Sequence, residues 1–447
     1  MKEFDVVVIG AGISGAALFY ELARYTDLKN IALIEKYHGP ATLNSRASSN
    51  SQTIHCGDIE TNYTIEKARK VKPNADMVAR YAVAKKEEGN TFVYSHQKMA
   101  LAVGDEECEY MKGRFEQFKE LYPYLQYFDK HRIKELEPKV VLSKDGTGDR
   151  SENVVAMGAL EGDSYTTVDF GKMSESLIED AMKENKNTFV TYNQEVNKIE
   201  QKDGAFHIYT KSYEEFVAKA VVVNAGAHSL YLAHKMGVGL DKSCWPVAGS
   251  FYMTKKKLLR GKIYTVQNPK LPFAALHGDP DMLLDMNTRF GPTALVIPKL
   301  ERYHGLKSVP EFFYTLKFDS KIAKITFGMM KDETVGKYIL SNYLFEIPYF
   351  NRIFFVKNVR KIVPSLKASD IEYAKGFGGV RPQVIDKIKG EIMLGEASIN
   401  EIDGIIFNMT PSPGATSCLG NARRDARKIC KYLGVKFDED KFYEELM

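Results

Sequence analysis

One arginine and the histidines of this sequence could bind an anion and move a proton. Arg381 follows Gly378 and Gly379, where a backbone can pass close to a bound ligand. A guanidinium offers a carboxylate two parallel donors, so Arg381 is the candidate carboxylate clamp; a surface salt bridge is the alternative. A histidine would accept the proton, because imidazole titrates near neutral pH. The chain has nine histidines, and residue type alone leaves the choice among them open.

The start of the chain has the pattern of a nucleotide-binding turn. Residues 6–9 predict a buried strand, which is followed by Gly10, Gly12 and Gly15 and by an Ala/Leu-rich helix. In such a turn the glycines permit the tight bend, the approach of a pyrophosphate and the close packing of helix on strand. Glu35 closes the next predicted strand, where a carboxylate can accept hydrogen bonds from ribose hydroxyls. We therefore expect a dinucleotide at the helix N-terminus; a glycine-rich turn without a nucleotide is the alternative.

A polar loop and two small-residue turns are candidates for further contacts with the same ligand. Residues 44–57 are crowded with hydroxyl and amide side chains, which suits hydrogen bonds to phosphates and sugars; a solvated surface loop is the alternative. The strands predicted at 220–223 and 404–409 are both followed by small residues, which let a ligand lie against the backbone. After the second strand, Gly, Ser and Thr precede a helix whose positive end can hold a negative charge.

Length, composition and charge restrict the class of protein. With 447 residues, 44% hydrophobic and 27% charged, the chain is long enough for two or three globular domains. A net charge of +4 suggests no nucleic-acid partner. No apolar run reaches the roughly 18 residues of a membrane-spanning helix, and because a strand begins at once we expect no signal peptide. Five scattered cysteines favour reduced thiols in a cytoplasm over disulfides or a metal site.

Together these segments resemble the FAD-dependent oxidoreductases of the glutathione-reductase-like superfamily, in particular the D-amino-acid-oxidase-like branch. The resemblance rests on the glycine turn with Glu35, the loop 44–57, the helix that starts at Val168-Asp169, the segment 221–226 and the helix after Gly414. It implies FAD as the cofactor, without a metal. The residues expected to bind FAD are Gly10, Gly12, Ile13, Ser14, Gly15, Glu35, Lys36, Ser48, Ser49, Asn50, Val196, Ala225, Gly226, Gly379, Pro413, Gly414, Ala415 and Thr416.

The same resemblance implies the architecture. We expect an α/β fold with a Rossmann-like FAD-binding domain built from discontinuous segments, and an α+β substrate domain with a mixed sheet. The FAD-binding domain is predicted at 1–90, 150–240 and 372–447, and the substrate domain at 91–149 and 241–371.

Within this branch the sequence is similar to the malate:quinone oxidoreductases. The similar motifs are Ala47-Ser48-Ser49-Asn50, Asn62-Tyr63-Thr64, Trp245-Pro246-Val247-Ala248-Gly249, His277-Gly278-Asp279, Phe290-Gly291-Pro292, 379–385 and Pro411-Ser412-Pro413-Gly414-Ala415. The similarity implies oxidation of L-malate to oxaloacetate, with hydride transfer from substrate C2 to flavin N5 and electron transfer to a membrane quinone. The loop 51–61 departs from the family pattern: His55-Cys56-Gly57 looks more like the L-2-hydroxyglutarate dehydrogenases. A covalent flavin link through His55 or Cys56 is a further alternative.

The resemblance also suggests roles for the site residues. It favours His277 as the base with Asp279 as its orienting partner, and it leaves His55, in the cofactor loop, as the rival base. Arg381 holds the substrate carboxylate, because the similar families have an arginine there, and Arg289 is a second candidate contact for a dicarboxylate.

The electron acceptor decides where the protein works. The sequence has no second nucleotide fingerprint, Fe–S cysteines or haem motif, which argues against an NAD(P)-linked or internal acceptor. The resemblance implies a quinone as the acceptor, which would place the protein at the cytoplasmic face of the inner membrane. The basic segments 255–260 and 423–428 could contact anionic headgroups, with solvated faces as the alternative. Rival functions are a dehydrogenase of L-2-hydroxyglutarate or another 2-hydroxy acid, an amino-acid oxidase, and a structural or redox-sensing flavoprotein.

Overall fold

The computed structural model describes residues 2–268, 271, 275–393, 395–411 and 413–447. Ser412, part of one predicted motif, therefore lies outside the described residues.

The strands are β1 Lys2–Ile9, β2 Ile31–Ile34, β3 Val93–Tyr94, β4 Lys98–Val103, β5 Gln126–Phe128, β6 Val154–Ala159, β7 Thr167–Val168, β8 Phe189–Thr191, β9 Val196–Lys202, β10 Ala205–Thr210, β11 Glu215–Val223, β12 Lys242–Ala248, β13 Tyr252–Met253, β14 Lys262–Thr265, β15 His277–Pro280, β16 Thr288–Gly291, β17 Leu295–Val296, β18 Glu372–Tyr373, β19 Val380–Asp386, β20 Glu391–Ile392, β21 Ala397–Ile399 and β22 Ile405–Met409.

The helices connect and cover these strands. They are α1 Ile13–Arg24, α2 Ile65–Glu87, α3 Asp105–Phe118, α4 Lys130–Leu136, α5 Pro138–Val141, α6 Phe170–Glu184, α7 Ala227–Lys235, α8 Val309–Leu316, α9 Ser320–Lys331, α10 Glu333–Leu344, α11 Asn351–Val359, α12 Cys418–Leu433 and α13 Glu439–Leu446.

The first sheet surrounds β1. Its order is β21-β22-β11-β1-β2-β8, with β9 and β10 extending from β11, and β1 is parallel to both of its neighbours. Val6 and Val8 of β1 belong to a core shared with α1, α6 and α12, whereas Val7 and Ile9 belong to the core on the opposite face. A strand buried on both faces needs a continuous apolar sequence, which is why residues 6–9 contain no polar side chain.

A second and a third sheet lie outside this layer. The second is mixed, with the order β18-β13-β16-β15-β14-β4-β6-β5, and the third is antiparallel, with the order β17-β12-β19-β20. The predicted α/β fold class with an additional mixed sheet is confirmed.

The predicted domain boundaries remain a prediction. Strand β6 was assigned to the FAD-binding domain, but it pairs with β4 in the mixed sheet. Strand β19 was assigned to the same domain, and it pairs over seven residues with β12, which was assigned to the substrate domain. The antiparallel sheet thus joins segments from both sides of the predicted division.

Candidate active site

A pocket lies at the carboxyl ends of the parallel strands. In open parallel sheets this edge is the usual place for a ligand, because strand ends and helix N-termini meet there. Its lining comes from the turns after β1, β2, β11 and β22 and from the loop 41–55. Sixteen of the predicted cofactor residues line it, namely Gly10, Gly12, Ile13, Ser14, Glu35, Lys36, Ser49, Asn50, Val196, Ala225, Gly226, Gly379, Pro413, Gly414, Ala415 and Thr416.

The other two predicted cofactor residues lie behind the wall. Gly15 packs α1 against the turn, since a Cβ there would come within 1.8 Å of the Gly10 carbonyl oxygen. Ser48 accepts a hydrogen bond from Gly378 N–H through its carbonyl, at 2.8 Å, and so attaches the polar loop to the segment before Arg381. Both residues shape the pocket and do not line it.

The glycines of the first turn have different tasks. Gly10 has φ +102°, and a Cβ on it would lie 2.5 Å from the Asn224 carbonyl oxygen, so the turn and β11 require glycine there. A Cβ on Gly12 would meet only the Ser45 hydroxyl, at 3.2 Å. That hydroxyl accepts the Ile13 N–H at 2.9 Å. Gly12 therefore leaves room on the pocket side, beside the first turn of α1, for a ligand that approaches the backbone.

Glu35 lies at the end of β2 in the same pocket. Its two carboxylate oxygens accept the backbone N–H groups of Ala11, at 2.7 Å, and of Tyr37, at 2.8 Å. Burial raises the pKa of Glu35, and these two backbone hydrogen bonds oppose the shift. A carboxylate oxygen has two lone-pair directions, so Glu35 can still accept hydrogen bonds from ribose hydroxyls.

A charged cluster that the sequence did not predict surrounds this end of the pocket. Glu301 accepts hydrogen bonds from Lys36 Nζ at 2.8 Å and from the Tyr37 hydroxyl at 2.5 Å. Burial alone would raise the pKa of Glu301, but His228 and Lys36 outweigh it and lower the pKa. His228 also contacts Glu311 of α8 at 2.9 Å. The cluster joins the segment after β17 to the nucleotide-binding turns. Lys36 and Glu301 are 265 residues apart in sequence, so no local signal could reveal their contact.

Arg381 lines the same pocket, near the start of β19. Val380 N–H donates to Asn44 Oδ1 at 2.9 Å, and a Cβ on Gly379 would meet that same oxygen at 2.8 Å, so the backbone here is pressed against the polar loop. The Nη1 atom of Arg381 is buried and has no hydrogen-bond partner, and the described residues offer this side chain no ion pair. Burial lowers the pKa of Arg381, but guanidinium stays charged at physiological pH. A cation that is removed from water without a counter-ion is costly, so this side chain favours binding of an anion.

His55 lies in the pocket wall with an orienting carboxylate. Its Nδ1 atom is 2.7 Å from Oε1 of Glu60, whose other oxygen accepts the Gly57 N–H at 2.8 Å. The His55 backbone N–H donates to the Thr416 hydroxyl at 3.1 Å, which ties it to the loop after β22. Glu60 fixes the ring, leaving Nε2 available to a ligand. Sequence reasoning missed Glu60; its one signal is its place five residues after His55 in the same loop.

His277 and Asp279, predicted as base and orienting partner, do not line the pocket. The His277 ring is stacked on Tyr264 with centroids 4.3 Å apart, and the Tyr264 ring is perpendicular to the His55 ring with centroids 6.2 Å apart. His277 Nδ1 is 3.2 Å from the Ala275 carbonyl, and Nε2 has no hydrogen-bond partner among the described residues. Burial lowers the pKa of His277 to about 3. One aromatic ring therefore separates this neutral imidazole from the pocket.

Arg289, the predicted second anion contact, is paired internally. Its guanidinium contacts Asp279 at 2.8 Å and Asp281 at 2.7 Å, and all three side chains are fully buried. Lys262 reaches the same Asp279 oxygen at 3.4 Å. These ion pairs occupy the Arg289 guanidinium, although Nε of Arg289 and Oδ1 of Asp279 have no hydrogen-bond partner among the described residues. Arg289 also donates to the Asn50 carbonyl at 3.2 Å and so supports the pocket wall from behind.

The residues present fit FAD. The pocket reaches from Glu35 and Lys36 through the open Gly12 backbone to Arg381, so that it can accept the ribose, the pyrophosphate and the ring system of one extended ligand. Ser417, the N-cap of α12, has no side-chain hydrogen bond, and Gly414 and Ala415 in the preceding turn line the pocket. Free N–H groups at that helix end can stabilise negative charge on a flavin ring.

This fold and site define an FAD-dependent oxidoreductase. The family model for malate:quinone oxidoreductase (Mqo) matches residues 2–422. The chain belongs to the malate:quinone oxidoreductase family, and the family, enzyme class and FAD cofactor predicted from the sequence are confirmed.

Relatives and solved structures agree with this assignment. The chain is 71% identical to a probable malate:quinone oxidoreductase of Campylobacter jejuni, over 100% of this chain and 99% of the relative. It is 49% identical to the malate:quinone oxidoreductase of Helicobacter pylori, over 99% and 98% of the two chains. An FAD-bound L-α-glycerophosphate oxidase from Mycoplasma pneumoniae superposes with a TM-score of 0.64 over 98% of this chain and 96% of its own, at 20% identity, which shows a shared fold.

Proposed function

We propose that this protein oxidises L-malate to oxaloacetate and passes the electrons to a quinone, with Arg381 as carboxylate clamp and His55 as base. The observation that supports these roles is that a guanidinium whose buried Nη1 atom has no hydrogen-bond partner and a carboxylate-oriented imidazole line one pocket. The reaction needs an anion contact, a proton acceptor and a hydride acceptor. Bound FAD supplies the hydride acceptor.

The guanidinium of Arg381 holds the substrate C1 carboxylate. Two parallel N–H groups fix a carboxylate in orientation as well as in position, so the C2 carbon is held in one place relative to the flavin end of the pocket. The substrate carboxylate also gives the buried Nη1 atom the hydrogen-bond acceptor that it lacks within the protein.

His55 accepts the proton of the C2 hydroxyl at Nε2. Glu60 holds Nδ1, so that the ring presents the unprotonated nitrogen before reaction and the carboxylate stabilises the imidazolium afterwards. One proton thus leaves the substrate to His55, and one hydride leaves C2. The hydroxyl carbon becomes the ketone of oxaloacetate, and two electrons and two protons remain to be given to the quinone.

Quinones are lipid-soluble, so the proposed acceptor places the protein at a bilayer surface. Among the described residues no helix is both long and apolar enough to cross a membrane. We therefore propose peripheral association with the inner membrane.

Oxidation of 2-hydroxyglutarate is the second candidate. The observation in its favour is that His55, in the His55-Cys56-Gly57 motif that looks like the L-2-hydroxyglutarate dehydrogenases, lines the pocket while His277 does not. Malate and 2-hydroxyglutarate differ by one methylene, which a pocket distinguishes by about 10- to 200-fold.

Anaerobic reduction of the bound flavin tests both candidates. L-Malate should bleach the flavin band with a second-order rate constant at least about tenfold above that of L-2-hydroxyglutarate. The reverse order would assign the second function. Reduction by an amino acid, with rapid turnover of oxygen, would overturn both.

A further inference from the structure

The helices α9 and α10 and the loop before α11 expose an unusual concentration of large apolar side chains. Thirteen of the twenty-three large hydrophobic residues exposed in the described part of the chain fall within residues 303–353. Phe327 on α9 is 62% exposed, Leu340 on α10 is 60% exposed and Tyr349 in the following loop is 87% exposed. We call residues 318–353 the apolar–basic surface; its exposed members include Phe327, Met330, Leu340, Tyr343, Tyr349 and Phe350.

Basic side chains accompany these apolar groups. Residues 317–361 contain nine Lys or Arg and four Asp or Glu, a net charge of +5, whereas the whole chain has +4. Lys321, Lys324 and Lys331 are exposed on α9. An α-helix turns by about 100° per residue, so these three lysines lie on the outer half of α9 together with Phe327 and Met330, while Ile322 faces inward. Lys321 and Lys324 form no ion pair with any described residue.

The basic segments that the sequence suggested for lipid contact are different. In the segment 255–260, Lys256 contacts Asp370 at 2.9 Å and Lys257 contacts Asp285 at 3.2 Å. In the segment 423–428, Arg423 contacts Glu439 at 2.9 Å and Arg424 contacts Asp425 at 2.8 Å. Acidic neighbours therefore neutralise much of their charge, and they lack the exposed apolar groups that the α9–α10 region provides.

The inner side of α10 packs against the segment that follows the pocket-lining Pro292. Asn342 Oδ1 accepts the backbone N–H of Ala294 at 2.6 Å, two residues after the pocket-lining Pro292. Tyr338 packs against Ala294 and Val247, and burial raises the pKa of Tyr338 to about 12 while the nearby Arg381 opposes the shift. The opposite side of α10 exposes Leu340 and Tyr343. One helix, about 10 Å across, thus separates the candidate substrate site from the apolar–basic surface.

We infer that the apolar–basic surface docks on a bilayer that contains anionic lipid, and that α10 brings the active-site pocket to the membrane. Apolar and aromatic side chains that share a helix surface with lysines are the composition of a helix lying in a lipid interface. The surface has five Lys or Arg and four Asp or Glu, a net charge of +1, and its exposed Lys321, Lys324 and Lys331 offer positive charge to anionic headgroups. This inference rests on the proposed quinone acceptor. Contact of the apolar–basic surface with the bilayer gives that lipid-soluble acceptor a route to the pocket.

Flotation of the holoenzyme with vesicles tests this surface. The probes are vesicles of phosphatidylglycerol and phosphatidylethanolamine at a 3:7 molar ratio, and vesicles of phosphatidylcholine alone. We expect the wild type to float with the anionic vesicles. Two double variants, Phe327→Asp with Leu340→Asp and Lys321→Glu with Lys324→Glu, should each lower the bound fraction at least about tenfold. The matched control is Tyr213→Asp with Met182→Asp, two exposed apolar residues elsewhere, and it should float like the wild type.

Activity measurements separate this inference from the proposed function. With malate and a soluble dye as acceptor, both surface variants should keep wild-type turnover; with quinone-loaded vesicles, turnover should fall in parallel with binding. If malate does not reduce the wild-type flavin, the proposed function fails while flotation still reports on the surface. Wild-type protein that does not float, or surface variants that float normally, would overturn the inference. A change from dimer to monomer in the Phe327→Asp, Leu340→Asp variant without a change in flotation would assign the surface to a second copy.

Discussion

The Nδ1 atom of His55 lies 2.7 Å from Oε1 of Glu60, while the other Glu60 oxygen is held by Gly57 N–H. The Gly57 N–H therefore holds the Glu60 carboxylate in place, and the carboxylate in turn holds the His55 imidazole ring. Such a pair orients the ring and stabilises its protonated form. His55 lines the pocket and Glu60 does not. A substitution of Glu60 therefore tests this contact without changing a residue that lines the pocket.

Replacing Glu60 with Gln should change the pH dependence of flavin reduction. The amide keeps a hydrogen bond to Nδ1 but removes the charge that stabilises the imidazolium, so the base becomes weaker. We expect a lower maximal rate, with the half-maximal point of the pH–rate profile moved to lower pH. Stopped-flow reduction by malate between pH 5 and 9 measures both quantities. A variant with an unchanged profile would show that Glu60 does not act through His55.

Replacing His55 with Gln should lower the rate of flavin reduction about 10²- to 10⁴-fold, the range that a general base contributes, while the protein keeps its FAD. His277→Gln is the matched control, because Tyr264 separates that ring from the pocket. The control should change the reduction rate by less than about tenfold. The opposite ranking of the two variants would restore His277 as the base.

Arg381→Lys should raise the KM for malate by about 10- to 100-fold, and Arg381→Met by more. A lysine keeps the charge but loses the paired donors, and a methionine fills the space without a charge. FAD content, read from the absorption spectrum, should stay near one per chain in both variants. A KM close to the wild-type value in Arg381→Met would exclude the clamp.

Gly12→Ala and Gly15→Ala should have different effects, although both alter one motif. On Gly12 the new methyl occupies the ligand side of the turn, so the FAD dissociation constant should rise at least about tenfold with little change in the stability of the FAD-free protein. On Gly15 the methyl meets the Gly10 carbonyl, so overpacking should lower the free energy of unfolding by about 1–3 kcal/mol. Fluorescence titration with FAD and urea unfolding separate the two. Equal loss of stability in both would contradict the division of tasks.

His277 should make the folded protein less stable in weak acid. Its pKa falls from 6.5 to about 3 on folding, through burial first and then Arg289 and Lys262, against the opposing Asp279. Below pH 6.5 the unfolded chain binds a proton that the folded chain does not, so stability falls as pH falls, by about 2 kcal/mol at pH 5 relative to pH 7. His277→Gln should remove this part of the pH dependence of urea unfolding, while His131→Gln, at an exposed site, should not.

The nucleotide half of the site was predictable because its signals are local. The three glycines and Glu35 lie within 26 residues, and each has a distinct steric or hydrogen-bonding reason. Arg381 was expected in the site from its position after two glycines and from the family resemblance, and it does line the pocket; its role as carboxylate clamp stays a prediction.

The choice between the histidines depends on tertiary placement. The family resemblance favoured His277 with Asp279 as its partner, and these two residues lie on the same face of β15. That face turns toward Lys262 and Arg289 behind Tyr264. The His55–Glu60 contact lies in an irregular loop, where no period predicts which side chains meet. The charged cluster of Lys36 and Glu301 joins residues 265 apart, beyond the reach of any local pattern.

The position of β1 has a consequence for synthesis of the chain. Val7 is the register partner of Val221 in β11, and Val221 in turn pairs with Ile405 in β22. At about 5–20 residues per second, roughly 10–40 s pass between the appearance of β1 and that of β11 on the ribosome. During that interval the edge of β1 that later pairs with β11 is unpaired, and residues 6–9 of that strand are all apolar. An unpaired apolar strand edge favours aggregation, so the nascent chain is most exposed to aggregation in this interval. The pocket takes part of its lining from residues after β22, namely Thr410, Pro413, Gly414, Ala415 and Thr416, so it is complete only when nearly the whole polypeptide has been made.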